Sequence, residues 1–358
     1  MMRAEECDAI VAGLQTVGFT GVLILMGNNA QLGPVLRRSS IASFIAHHIT
    51  KSRALQAPTC KRFRLTTNMR MQRDPAFLDA CTRIGYAREP AVNDDLGLDG
   101  SHLVRLPTAL FHAVPDDTTS IQHARRWVHS SMYEDHATYT FGNVIVCPTR
   151  AYEHEHNAHF LNMLPGEATV YHARDEVVPK AGQHADFEAL VLSDDLGSAL
   201  DDSGKPRYEL PLKPGAPVQL LQTLVSVAGL DKGRVAIVHS CDRHSVVIRF
   251  ESGQLHRIPR TTFQYSPEHF RRCVDINRHQ LPLTLNWAST VHRVQGDTVA
   301  RELFDLRHPV FCHGQLYTGI GRVSTADDLK LIVPTDDFSD DGGEFVTTNI
   351  VVRAVLSS

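Results

Sequence analysis

The sequence predicts an α/β fold with a parallel sheet, interrupted by a small all-β module. Two observations carry this. Short apolar runs of strand length, such as Val22–Met26 and Asn143–Cys147, alternate with amphipathic helical stretches, as in a sheet buried on both faces. Between Pro217 and Ile258, four strand-like runs instead follow one another with tight turns and no helix-length segment among them.

Residues 4–17 place Ile10, Val11, Leu14 and Val17 at helical spacing. Val22–Met26, ended by Gly27, reads as a strand buried on both faces. Ile41–Ile49 reads as helix and Phe63–Thr66 as strand. Asp74–Ile84 is a helix with Asp74 as its cap and Pro75 at its first position. The stretch 89–120 is rich in Pro, Asp and Gly and reads as loop, with one short strand near Leu103–Leu106. A helix (Ile121–His129), a strand (Asn143–Cys147), a helix (Ala151–Leu161) and a strand (Ala168–His172) follow. An acidic linker then leads to Pro217–Gln222, Arg234–Ser240, His244–Phe250 and Gln254–Ile258, a module expected to close into a small antiparallel barrel. The α/β pattern resumes with strands at Thr284–Val291 and Glu302–Leu306, a helix at Gly314–Arg322 and a strand at Leu329–Val333.

The 358 residues suffice for two or three domains. Net charge is −4, but residues 1–88 carry twelve Lys/Arg against five Asp/Glu, a local +7. Such asymmetry suits a basic binding face, and equally ordinary surface charge. Acidity gathers at Asp194-Asp195, Asp201-Asp202, Asp336-Asp337 and Asp340-Asp341. Seven cysteines without a Cys-x-x-Cys pair fit a reducing compartment and argue against a zinc ribbon. The acidic N-terminus does not read as a signal peptide, and no apolar run approaches membrane-spanning length. A soluble intracellular protein is expected. His154, His156 and His159 tempt a metal assignment, yet on a helix His154 and His159 lie about 140° apart. No metal site is assigned.

Four segments carry candidate chemistry. Gly27-Asn-Asn-Ala-Gln31 is a polar loop at a strand end, where open α/β sheets bind ligands. Gln31 can bond a phosphate or an attacking water; the stretch also reads as a simple Asn/Gly turn. Arg70, in Thr66-Thr-Asn-Met-Arg70, offers a guanidinium fork for phosphate, or is an exposed arginine in a basic stretch. Thr290-Val-His292-Arg293-Val-Gln295-Gly296-Asp-Thr298 packs hydroxyl, imidazole, guanidinium, amide and glycine into one turn, a composition that grips nucleic-acid phosphates. Arg322 ends the helix Gly314–Arg322, where it can serve as an arginine finger or oppose the helix dipole.

In this order, the segments resemble Pif-type superfamily-one DNA helicases, most closely the helicase region of Helitron transposons. Val22-Leu-Ile-Leu-Met-Gly-Asn-Asn-Ala-Gln31…Pro34-Val is similar to that family's Gly-Asp-x-x-Gln…Pro-Val. Leu65-Thr-Thr-Asn-Met-Arg70 is similar to its Leu-Thr-x-Asn-Met-Arg. Cys147-Pro-Thr…Asn157, Leu164-Pro-Gly…Tyr171…Asp175, Gly215-Ala-Pro-Val-Gln-Leu-Leu, Thr290–Thr298, Gly314–Arg322 and the terminal Thr348-Asn-Ile-Val351 complete the order. The resemblance implies a RecA-like P-loop NTPase helicase fold. Residues 1–88 would be the end of a first RecA-like domain. Residues 89–180 and 263–335 would form a second, with a β-barrel inserted at 181–262 and a tail at 336–358. It implies ATP and Mg2+ as cofactors and single-stranded or forked DNA as partner. It also implies a nuclear or other DNA-containing compartment, and roles in repair, recombination, telomere maintenance or transposition. Gln31, Arg70 and Arg322 would be the catalytic candidates, contacting ATP together with Gly296. Thr290, His292, Arg293, Gln295 and Thr298 would line the DNA path, and the β module would help hold DNA.

The departures matter too. The family's Asp is Asn28, the Lys of its His-Lys pair is Arg293, and the Ser before the last arginine is Gly321. No Gly-x-x-x-x-Gly-Lys-[Ser/Thr] occurs, and the resemblance places it upstream of Met1. Hydrolysis by this chain alone is therefore expected to be very slow or absent. A non-catalytic nucleic-acid-binding remnant is the alternative, and an unrelated α/β interaction protein the third reading.

Overall fold

The structure is a computed structural model. It describes all residues except 1, 34–39, 64, 66, 90, 91, 93–100, 135–138, 181–200, 202, 203, 225–228, 267–273, 357 and 358. The chain forms two compact units. The first comprises Met1–Val128, Gly142–Glu153 and Ser289–Ser358, and the second His129–Phe141 and His154–Ala288.

A five-stranded sheet organises the first unit. Its order is Ala288–Thr290, Asn143–Cys147, Arg301–Asp305, Leu329–Val333, Ala113–Pro115. Arg301–Asp305 lies at the centre and runs parallel to both neighbours, and Leu329–Val333 runs parallel to Ala113–Pro115. Every residue of Asn143–Cys147 is buried, as expected for a strand covered on both faces. The helix Thr118–Val128 packs against this sheet. The helix Pro75–Gly85 packs on the short helix Gln315–Ile320. Phe77, Ile84, Phe304, Leu316, Ile320 and Leu331 meet there in one apolar core. Asp74 caps the helix Pro75–Gly85 by accepting from the Phe77 N–H at 3.0 Å. An antiparallel strand pair from distant parts of the chain, Ser101–Pro107 with Glu344–Ile350, completes the unit.

Two sequence expectations in this unit are corrected. Val22–Met26 is not a strand, and its side chains are 37–89% exposed. An apolar run becomes a parallel strand only where a neighbour satisfies its N–H and C=O groups, and none of the described residues pairs with it. Phe63 and Leu65 are likewise exposed and outside any strand. Arg64 and Thr66 of that expected strand lie outside the described residues, as do Pro34, Val35, Asp194, Asp195 and Asp202. The first helix forms as expected at Ala4–Thr16, though Ile10 of its apolar stripe is 44% exposed.

The second unit contains an antiparallel five-stranded sheet in the order Leu255–Pro259, Ser245–Arg249, Val235–Cys241, Pro217–Leu220, Leu283–Leu285. The strands match the sequence reading, but the expected closed barrel is not found among the described residues. The chain leaves the sheet at Pro259-Arg260. The next strand, Thr261–Tyr265, pairs instead with Val274–Gln280 in a three-stranded sheet with Arg174–Pro179. Among the described residues no strand joins the two edges, and the sheet they form is open.

A buried ion cluster joins these segments. Arg278, wholly buried, donates to both Asp175 carboxylate oxygens (2.7–3.2 Å), to Asp201, and to the Pro206 carbonyl at 3.1 Å. Gln280 ties in the carbonyls of Tyr171 and Tyr208 at 2.7 and 3.0 Å. Arg278→Ala would strand buried carboxylates, at a cost of about 3–5 kcal/mol. Denaturant unfolding of the variant measures this; a loss under about 1 kcal/mol would show that the cluster contributes little.

Candidate phosphate and nucleic-acid site

All nine residues singled out from the sequence lie in the first unit, six of them in the turn 290–298. That turn follows the strand Ala288–Thr290. The Val291 N–H donates to the Cys147 carbonyl at 3.1 Å, which ties the turn's start to the sheet. Thr290 is buried, and its carbonyl accepts from the N–H groups of Arg293 (2.9 Å) and Val294 (3.3 Å). Gly296 sits at φ +98°, a backbone region that side chains rarely enter, and reverses the chain. Gly296, Asp297 and Thr298 are exposed. Just before the turn, in the second unit, Asn157 accepts from the N–H groups of Trp287 and Ala288 and donates to the Ala288 carbonyl.

Two arginines from distant parts of the sequence converge on this turn. Arg70 donates through Nε to Thr298 Oγ1 (2.9 Å), through Nη2 to the Asp297 carbonyl (3.0 Å), and through Nη1 to the Gly321 carbonyl (2.6 Å). Arg322 donates through Nε to the Thr318 carbonyl (2.6 Å) and through Nη1 to the same Asp297 carbonyl (3.4 Å). Arg70 is half-buried and Arg322 is 2% exposed. Burial lowers the pKa of both, and for Arg322 the Arg70 charge adds to the shift. Guanidiniums keep their proton in proteins, so the pair is a concentrated positive charge.

The loop Asn28–Leu32 approaches the turn through Gln31, whose Oε1 accepts from Gln295 Nε2 at 3.5 Å. Its backbone is held by the helix Gln315–Ile320 and the residues before it. The Leu32 N–H donates to Thr318 Oγ1 (3.1 Å), and His313 Nε2 donates to the Asn29 carbonyl (2.8 Å). Asn28 bonds the Tyr317 hydroxyl at 3.4 Å. Gly314 makes this contact possible: at φ +70°, an added Cβ would lie 2.6 Å from the Gln31 carbonyl carbon. Arg293 ion-pairs with Glu153. The His292 imidazole is held below the ordinary histidine range by burial, and so is neutral near pH 7.

The structure thus gathers Gln31, Arg70, Arg322 and the turn 290–298 into one neighbourhood. Sequence reasoning missed several of their neighbours. Glu153 is Arg293's partner, and Tyr317 and His313 anchor the Asn28–Leu32 loop. Glu302 is fully buried beside the arginine pair, and neither carboxylate oxygen has a hydrogen-bond partner among the described residues. The signal for Glu302 was an acid inside an otherwise buried strand, Arg301-Glu-Leu-Phe-Asp305.

No protein-family model matches the chain. Its sequence is 28% identical over 205 residues to the ATP-dependent DNA helicase PIF6 of Trypanosoma brucei brucei, covering 54% of this chain and 26% of that protein. It is 30% identical over 151 residues to the ATP-dependent DNA helicase PIF1 of Rattus norvegicus, covering 41% of this chain and 23% of that protein. Its fold overlays on the crystal structure of the Pif1 helicase from Candida albicans with a TM-score of 0.60 at 18% identity, over 99% of this chain and 72% of that one. The chain is similar to Pif1-type helicases in sequence over part of its length and in fold. A Bacteroides Pif1 in complex with ADP-AlF3 and ssDNA also overlays, with a TM-score of 0.56 at 20% identity, over 96% of this chain and 75% of that one. The parallel sheet of the first unit therefore belongs to a RecA-like α/β fold of the Pif1 type. The matched segments span about a quarter of the curated Pif1-type relatives. Among the described residues, no helix is long and apolar enough to cross a membrane.

Two outcomes test this geometry. Gly314→Ala should cost roughly 1–3 kcal/mol, because a positive φ and a close carbonyl both oppose a side chain. Chemical denaturation reads the loss; a change within about 0.5 kcal/mol would show that the Asn28–Leu32 loop is not seated there. The second concerns Glu302, whose pKa is raised well above the ordinary value, first by burial and against the attraction of Arg322 and Arg70. Above about pH 4.3 the unfolded chain releases this proton while the folded chain retains it, so stability falls as pH rises toward the folded pKa. Glu302→Gln should therefore raise the melting temperature at pH 7 by at least about 2 °C, and the gain should vanish near pH 4. A loss of stability at pH 7 would show instead that the carboxylate is a net stabilising counter-charge.

Proposed function

We propose that this chain is part of an ATP-dependent DNA helicase of the Pif1 type, acting on single-stranded or forked DNA. The observation that carries the reading is the convergence of Arg70, Arg322 and Gln31 on the turn 290–298. Two guanidiniums and an amide suit the terminal phosphate of ATP, where charge builds up during phosphoryl transfer. The turn's exposed Gly296–Thr298 segment suits contact with a nucleic-acid backbone and lies against the same arginines, so DNA and nucleotide would be felt by one short segment. Sequence similarity to ATP-dependent DNA helicases, and the fold shared with a Pif1 bound to ADP-AlF3 and ssDNA, support the assignment.

The donor set fits a phosphate. It does not fit Mg2+: the carboxylates of Asp297 and Glu302 both lie in the field of the two guanidiniums, so no step here is routed through a metal. The sequence holds no Gly-x-x-x-x-Gly-Lys-[Ser/Thr] to cradle the β- and γ-phosphates. The chain by itself would hydrolyse ATP very slowly or not at all. The net +7 of residues 1–88 favours the second reading, a nucleic-acid-binding remnant of such a helicase. In both readings, single-stranded DNA affinity falls steeply with salt, because phosphate contacts release counterions.

The test uses the chain and a chimera in which a Pif1 relative supplies the phosphate loop. The chain alone should bind single-stranded DNA with background ATPase, and the chimera should hydrolyse ATP when that DNA is added. In the chimera, Arg322→Ala should abolish hydrolysis and spare DNA binding. Equal loss of both refutes the arginine's role at the phosphate. An inactive chimera that still binds DNA leaves the remnant as the function, and DNA affinity indifferent to salt sinks both readings.

A further inference from the structure

The helix Thr118–Val128 packs on the parallel sheet, and its last turn carries Trp127. Arg301 opens the central strand Arg301–Asp305, and Lys330 is the second residue of its neighbour Leu329–Val333. Lys330 stands in register with Leu303, so it shares a sheet face with Leu303 and with Arg301, two residues earlier. Both cations reach the Trp127 ring. The Arg301 guanidinium carbon lies 5.6 Å from its centroid and the Lys330 ammonium 4.9 Å. Arg301 also donates through Nη1 to the Trp127 carbonyl at 3.3 Å, and Asn143, its register partner, donates to the Val128 carbonyl at 2.7 Å. Arg301 and Asn143 thus satisfy the last carbonyls of the helix, and Lys330 is not needed there. Among the described residues, Lys330 has neither a hydrogen bond nor an ion pair, and Arg301 has no ion pair. Burial, and then the Arg301 charge, hold the Lys330 ammonium below the ordinary lysine range, and no carboxylate offsets them. Two cations therefore share one aromatic ring without a counter-charge, an arrangement that attracts an anion.

We propose that Arg301 and Lys330 form a further nucleic-acid contact, gripping one backbone phosphate while the Trp127 ring holds the two cations in place. The proposal rests on the reading of this chain as part of a DNA helicase. A guanidinium fork beside an ammonium point charge suits a phosphate in geometry and in charge. Continuity favours a nucleic-acid backbone over an acidic peptide. Gly296, Asp297 and Thr298 are exposed, and so are Ala300 and Arg301. Thr298 and Arg301 are separated by at most about 11 Å of chain, a span of about three nucleotides at the rise of a duplex strand. The Ala300 N–H donates to the Gly142 carbonyl at 2.8 Å, which fixes this stretch beside the strand Asn143–Cys147. A backbone lying on the turn 290–298 therefore meets the two cations a few nucleotides on. The contact is to phosphate alone, so it adds affinity and no sequence preference. Trp127 acts through the cations and touches no base.

The experiment measures binding of labelled oligothymidylate to the full chain by anisotropy, across about 50–200 mM salt. In the double variant Arg301→Gln/Lys330→Gln, affinity at the low-salt end should fall at least about fivefold, and the slope of log Kd against log salt should be shallower by about 0.7, the value for one single-strand phosphate. Lys330→Gln alone removes no hydrogen bond within the protein and should weaken binding at least about twofold, which keeps the test open if the double variant fails to fold. Lys330→Arg should keep the wild-type slope. Trp127 emission, isolated by subtracting the spectrum of Trp127→Phe, should change on adding oligothymidylate to the wild type and stay unchanged in the double variant. Wild-type affinity and slope in both glutamine variants overturn this contact and leave the helicase reading intact. An equal Trp127 response to inorganic phosphate makes it a free-anion site, and an equal response to polyglutamate an acidic-peptide dock; either overturns the assignment to a nucleic-acid backbone. A wild-type chain that binds no oligothymidylate overturns the helicase reading and this proposal together.

Discussion

The first unit depends on one carbonyl. The Asp297 C=O accepts from Arg70 and from Arg322, so two guanidiniums that repel one another are brought together at a single turn. Their other donors go to Thr298, Gly321 and Thr318. This arrangement fastens the chain around residue 70 to the end of the helix Gln315–Ile320 and to the turn after the sheet's edge strand. Every candidate function of the region follows from that joint. It concentrates positive charge, it commits that charge to protein carbonyls, and it places an exposed backbone segment next to the same side chains.

The sheet beneath makes the joint possible. Leu329–Val333 and Arg301–Asp305 are parallel and nearly wholly buried, which sets the directions from which the turn 290–298 and the helix Gln315–Ile320 leave the core. Gly314 then lets the Asn28–Leu32 loop lie against the chain entering that helix, and Gln31 reaches Gln295. Glycine is required at that position by contact as well as by backbone angle. The same close packing buries Glu302 without a hydrogen-bond partner among the described residues.

Much of the fold was legible because burial writes itself into apolar spacing. Asn143–Cys147 and Leu329–Val333 appear where their apolar residues put them, and Asp74-Pro75 opens its helix as its chemistry requires. Two expectations failed for one reason. Val22–Met26 has the composition of a central strand, and the β module has the spacing of a barrel. Pairing, however, is a property of neighbours. Val22–Met26 has no partner strand among the described residues, and the module's chain departs at Pro259-Arg260 to pair elsewhere.

The sequence by itself determined which segments are strands and helices wherever burial is two-sided or caps are explicit. It also supplied the residue types that can grip phosphate, because those depend on local spacing and side-chain chemistry. Only the tertiary structure decided that Arg70 and Arg322, 252 positions apart, share one acceptor. It alone sent Arg293 to Glu153, and buried Glu302 without a hydrogen-bond partner among the described residues. Charge interactions depend on distance and on exclusion of water, and neither is encoded in the order of residues along the chain.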